Sequence, residues 1–168
     1  MFKSFYIPAP GGYFCRMLLK AMFRAAGVFY FSLLFYIFFL ARRRPRPTFN
    51  RHIFPHNIVP LKHKFEDAAA YHTMSPIDKW NFITDLVGNI VLFVPLPFFL
   101  LLFFGIKNQG RVMLIAFCMS LGVEITQYLL GIGVADVDDI ILNILGAGAG
   151  ILLLKLTSRI NFTSALVK

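Results

Sequence analysis

The chain has little of what a water-soluble domain of its size needs. Charged residues fill 15% of its 168 positions, hydrophobic residues fill 58%, and Phe alone occurs 20 times. That balance excludes an ordinary soluble globular domain. Cysteine is scarce: Cys15 precedes the first long apolar run and Cys118 lies inside the third. Two such residues make no disulfide framework, and neither has the surroundings of a reactive thiol. His52 and His56 have i,i+4 spacing, but Pro55 interrupts a regular helix there, and no Cys or Glu joins them, His63 or His72 into a metal-ligand set. No zinc site is expected. There is no internal repeat and no long polar or low-complexity tail. Acids are the scarcest charge, 8 against 17 Lys and Arg.

What is present is apolar sequence in blocks of about 17–25 residues, the length of helix that crosses a hydrocarbon core of roughly 30 Å. Four spans are predicted, over about residues 25–41, 85–104, 112–130 and 140–156. The fold class is therefore an all-α membrane protein, a single bundle of about four transmembrane helices. The first span starts late, is long, and is followed by Arg42, Arg43 and Arg44 where a signal peptide has small residues. It is expected to stay in the protein. The net charge of +9 does not imply a nucleic-acid partner, because membrane chains carry Lys and Arg at span ends for topological reasons. The run Arg42, Arg43, Arg44 and Arg46 is a stop-transfer anchor or a site for anionic headgroups and phosphate.

The connections are unequal. A short turn, Gly105 to Arg111, joins spans two and three. Gly131 to Asp139 joins spans three and four and holds three Asp with no Lys or Arg. The loop from Arg42 to Thr84 has no spanning segment, yet it contains Phe49, Phe54, Phe65, Tyr71 and Trp80. A loop of that length is commonly functional. It is expected to fold against the membrane face, with Trp80 as an interfacial anchor.

Five of the eight acids, Asp85, Glu124, Asp136, Asp138 and Asp139, lie in or beside the apolar blocks. An ionisable residue in hydrocarbon is costly and marks a functional site by default. Because consecutive spans alternate direction, the start of span two, the end of span three and the start of span four meet at one side of the membrane, the side of the long loop. Glu124 falls roughly 9–10 Å below that surface. Helical phase places Asn81, Asp85, Gly88 and Asn89 on one stripe, Ser120, Glu124 and Gln127 on a second, and Asp139, Asn143, Gly146 and Gly150 on a third. Three inward-facing polar stripes are the least costly arrangement. The run Gly146 to Gly150 supplies small residues for close helix contact.

The residues that carry these features occur in a recognisable order: Asn57-Ile58-Val59-Pro60, Gly88-Asn89 through Phe93-Val94-Pro95, Glu124-Ile125-Thr126-Gln127, and Asp136-Val137-Asp138-Asp139 through Asn143 and Gly146. Over about residues 50–155 the chain resembles the VanZ family of small bacterial membrane proteins. The matching family pattern is N-x-x-P, G-N-x-x-x-F-x-P, E-x-x-Q and D-x-D-D-x-x-x-N-x-x-G. One departure is Pro97, where Gly is usual. The resemblance implies a cell-envelope role in the bacterial cytoplasmic membrane. The family is named for low-level resistance to teicoplanin, a lipid-tailed glycopeptide. The resemblance identifies no reaction.

Two classes of function remain open. One is a binding module for a lipid, a lipid-linked cell-wall precursor or a lipoglycopeptide. Its expected pocket residues are Asn57, Asp85, Asn89, Ser120, Glu124, Gln127, Asp136, Asp138, Asp139 and Asn143, with Arg42, Arg43, Arg44 and Arg46 meeting phosphate. The other is an intramembrane enzyme in which Glu124 and Asp139 act as general acid and base, or in which clustered acids hold Mg²⁺. A purely structural role for the acids is a third reading. A transporter is disfavoured by the small number of spans and the lack of repeats. Lys and Arg number nine on the side of the termini and eight in the long loop, of 17 in all. The acidic connection and the discount on long loops place both termini in the cytoplasm.

Overall fold

The computed structural model describes residues 10–41, 59–132 and 136–159, and only the backbone at 10–16 and 158–159. The architecture is an all-α membrane bundle. Its elements are α1 (Pro10–Tyr36) running into a π-helical turn (Ile37–Ala41), α2 (Lys62–Ala70) with a 3₁₀ turn (Tyr71–Thr73), α3 (Pro76–Phe93), α4 (Leu96–Phe104), α5 (Gln109–Leu130) and α6 (Val137–Arg159). Among the described residues, four stretches are long and apolar enough to cross a membrane: Met17–Ala41, Pro76–Phe104, Gln109–Leu130 and Val137–Thr157.

The second span starts nine residues earlier than the apolar block suggests. Ser75 has extended backbone and its Oγ accepts the Asp78 amide at 3.2 Å, while Pro76 takes the first helical position. Both satisfy the start of a helix locally, whatever the hydropathy of the turn that follows. The same span breaks at Val94 and Pro95, between α3 and α4. Neither Pro95 nor Pro97 has an amide hydrogen, so the helical ladder is interrupted there. The Tyr30 hydroxyl donates to the Leu92 carbonyl beside the break at 2.8 Å.

Helix α6 is the centre of the bundle and packs on α3, α4 and α5. Two glycines set the closeness of that packing. A Cβ at Gly146 would stand 2.1 Å from the Ile90 carbonyl oxygen, and one at Gly150 would stand 2.2 Å from that of Val94. Gly148, on the other face, would meet nothing within 4 Å. Between apolar helices in lipid, such close backbone approach supplies much of the attraction. On the other side, α1 and the π-helical turn that follows it contribute the buried stripe Tyr30, Leu34 and Phe38. The Tyr30 ring stacks on Phe99 at 4.9 Å, and Phe38 meets Phe93 edge-on at 6.2 Å. Left-handed glycines, Gly105 (φ 65°) and Gly131 (φ 67°), close α4 and α5.

Candidate functional site

The polar side chains form a ladder of three rungs between α3, α5 and α6. The deepest rung is Ser120 on α5 and Asn143 on α6, where the Asn143 Nδ2 donates to Ser120 Oγ at 2.8 Å. Ser120 is fully buried, Asn143 is 1% exposed, and Asn143 Oδ1 has no hydrogen-bond partner. One turn nearer the long loop, the Asn89 Nδ2 on α3 donates to Asp139 Oδ1 on α6 at 2.5 Å. At the same level Glu124 is 4% exposed and accepts the backbone amide of Asp136 at 2.9 Å. Asp136 in turn accepts the amide of Asp138 at 2.9 Å. Thus Asp136, just before α6, is tied to Glu124, and α6 starts with two acids in its first turn. Carboxylates there are favoured by the helix dipole.

The outer rung joins the long loop to the bundle. Buried Asp138 accepts the Leu61 amide, and Asp85 pairs with the Lys64 ammonium. The paired side chains of Lys64 and Asp85 are only 13% and 16% exposed. Gln127, at the top of the α5 stripe, donates to the Phe38 carbonyl at 2.7 Å and so fastens the π-helical end of α1.

Of the residues expected from sequence, the structure gathers Asp85, Asn89, Ser120, Glu124, Gln127, Asp136, Asp138, Asp139 and Asn143 at this end of the bundle. Asn81, on the same phase as Asp85, is exposed. Asn57 and the run Arg42, Arg43, Arg44 and Arg46 lie outside the described residues. Two participants were not anticipated, Lys64 and the Leu61 amide. The sequence signal for the first is a cation within a helical stretch ending in three alanines; the second is a backbone group and leaves no signal. Among the described residues, no group of three or more His, Cys, Asp and Glu is arranged to hold a metal ion.

Chemically, the ladder combines carboxylate acceptors with amide donors in a largely buried region. Carboxylates there can accept hydrogen bonds, hold a cation or exchange a proton. The sequence profile of the VanZ/LLP1 family matches residues 27–158. The chain belongs to the VanZ/LLP1 family. It is also 31% identical over 108 residues to Protein VanZ of Enterococcus faecium, an alignment that takes in 61% of this chain and 66% of that protein. The chain thus spans about two thirds of the curated relative it matches. No solved structure gives a significant match. The matched region of the VanZ/LLP1 family contains every rung of the ladder.

Proposed function

We propose that this VanZ-like protein binds a lipid, a lipid-linked envelope precursor or a lipopeptide tail at the ladder between α3, α5 and α6. Through that binding it contributes to low-level resistance to glycopeptides of the teicoplanin type. The reading places the protein in the bacterial cytoplasmic membrane with both termini inside, and lets Arg42, Arg43, Arg44 and Arg46 meet the anionic part of the ligand. One observation carries it: a buried polar ladder that contains an amide oxygen with no donor, Asn143 Oδ1. A group of that kind destabilises the folded state, and a ligand that donates to it would relieve that cost. The relative's name supports the resistance role, and the apolar helices support the membrane setting.

A second reading is favoured by the burial of Glu124 and Asp138. Buried carboxylates of different environment can serve as general acid and base, which would make the protein an enzyme acting on an envelope lipid or precursor. One experiment separates the two. Glu124→Gln and Asp139→Asn keep side-chain size while removing charge and proton transfer. Each is expected to lose resistance in a teicoplanin susceptibility assay at wild-type expression and wild-type Tm. Purified wild-type protein incubated with envelope lipids and precursors is expected to show saturable binding without product. Turnover that vanishes in Glu124→Gln would establish the enzyme instead. Full resistance in both variants would exclude any role for these carboxylates, and loss confined to poorly expressed protein would make them structural.

A further inference from the structure

The deepest rung of the ladder has a place for one more hydrogen-bond donor. Asn143 Nδ2 donates to Ser120 Oγ at 2.8 Å, while Asn143 Oδ1 has no partner. Both side chains are shut off from solvent, so no bulk water supplies the missing bond. Ser120 Oγ accepts one bond and still has its own proton to give. The rung therefore offers one acceptor and one donor on adjoining side chains. A hydroxyl group carries the complementary pair: a proton for Asn143 Oδ1 and a lone pair for Ser120.

Depth selects against charge. Ser120 lies one turn below Glu124 on α5, and Asn143 one turn below Asp139 on α6. With Glu124 roughly 9–10 Å below the membrane face, the rung is roughly 15 Å below it, at the middle of a hydrocarbon core of roughly 30 Å. An ammonium, a carboxylate or a phosphate is expensive at that depth. A hydroxyl that both gives and receives a bond is not. One turn further from the loop side, Ala116 and Ala147 are fully buried in the same apolar cluster as Phe93 and Leu96. An alkyl chain suits that surface, and a second polar group does not. Phe38 marks the way in. It bridges α3 and α5, with its ring on Phe93 at 6.2 Å and its carbonyl on Gln127 Nε2 at 2.7 Å. It belongs to the π-helical turn Ile37–Ala41, an irregularity frequent at functional sites. We propose that the Ser120–Asn143 rung receives the hydroxyl of an uncharged long-chain alcohol, which enters beside Phe38. The alcohol donates to Asn143 Oδ1, accepts from Ser120, and lays its chain along the apolar residues beneath. The inference rests on the binding reading and names its ligand class.

The test uses the full chain in phosphatidylcholine nanodiscs, whose lipid has neither hydroxyl nor N–H groups. Radiolabelled hexadecanol is the probe, with 1-methoxyhexadecane, hexadecylamine and palmitate as competitors. Hexadecanol is expected to bind saturably, at least about tenfold more tightly than its methyl ether, which keeps the chain and lacks the donor. The amine and the acid are expected to compete at least about tenfold more weakly than the alcohol. The double variant Ser120→Ala, Asn143→Leu, checked for folding by circular dichroism, is expected to lose the preference for alcohol over ether, and Gly148→Ala to keep it. Phe38→Ala is expected to take up the alcohol faster than the parent. Equal binding of alcohol and ether to the parent overturns the inference and needs no variant to do so. Three further results overturn it too: a preference that survives in the folded double variant, tighter binding of the amine or the acid, or an unchanged uptake rate in folded Phe38→Ala. Saturable binding of envelope lipids or precursors without the alcohol overturns it while leaving the binding reading standing, and a buried water then completes the amide. No saturable binding of any of these to folded protein overturns both.

Discussion

One stripe of α5 carries two chemistries. Val112, Ala116, Ser120, Glu124 and Gln127 are its buried residues, at helical spacing along a single face. Below Ser120 the stripe packs among Phe93, Leu96, Phe99 and Leu100, and from Ser120 upward it meets amides, acids and a carbonyl. Burial is the same in both halves, so burial does not explain the difference. The lower half is held by close contact and stacking. That suffices in lipid, where helices gain no hydrophobic drive toward one another. The upper half is held by hydrogen bonds that an apolar repacking would replace without loss. The polar half is thus more than the assembly requires, and this surplus is where function is to be sought.

The comparison breaks most severely where the two halves share a support. Gly146 lies just below the lowest polar rung and touches α3 backbone. Gly146→Ala is expected to cost about 1–3 kcal/mol as overpacking, a fall in Tm of roughly 3–10 °C, and to loosen both halves because α6 is common to them. Gly148→Ala, facing open space, is the control and should stay within about 0.5 kcal/mol. If thermal melts in detergent showed the two variants alike, close α3–α6 contact would not be what fixes the bundle. A smaller effect is expected within the polar half alone. Asn89→Leu removes the donor to Asp139 and should cost about 1–2 kcal/mol, the upper range for interhelical bonds in membranes, since the acceptor is a carboxylate. Smaller again is Tyr30→Phe, which keeps the stacking on Phe99 but drops the bond to Leu92. About 0.6 kcal/mol is expected. A fall in Tm as large as that of Asn89→Leu would show that the helix break depends on this hydroxyl.

The sequence discloses the two halves unequally. The four spans are legible because an apolar block has one inexpensive fate in a chain of this length. The polar stripes are legible because i,i+4 spacing puts Ser120 and Glu124, or Asp139 and Asn143, on one face, and alternation of direction brings the three stripes to one side. The first turns of α3 are hidden by their polarity, although Ser75-Pro76 followed by Asp78 is a helix start that capping chemistry could have revealed. The tie between Lys64 and Asp85 spans 21 residues and that between Leu61 and Asp138 spans 77. Neither is written in any local pattern, because each depends on how α2 lies over the bundle. The attachment of Gln127 to the Phe38 carbonyl is hidden for a related reason: a backbone acceptor has no residue type to mark it.

The last rung offers the sharpest separation of stability from function. Ser120 and Asn143 satisfy each other on one side, while Asn143 Oδ1 has no donor. Ser120→Ala alone strands the Asn143 amide as well and should cost about 1 kcal/mol. Adding Asn143→Leu removes both stranded atoms and extends the apolar half of the stripe upward by one turn. Leu is close to Asn in shape but larger, so some repacking is needed, and the gain from deleting an orphaned acceptor offsets it. The double variant is expected to unfold within about 0.5 kcal/mol of wild type. If the rung serves only to hold the bundle, the ligand binding and resistance proposed above should then be unaffected. If it is the floor of a binding site, both should be lost from a protein as stable as the parent. The decisive measurement is a pair: Tm in detergent, and amphiphile binding in nanodiscs. Loss of binding at unchanged Tm places the rung in the ligand's path. Retained binding at unchanged Tm would confine the ligand to the acids above it.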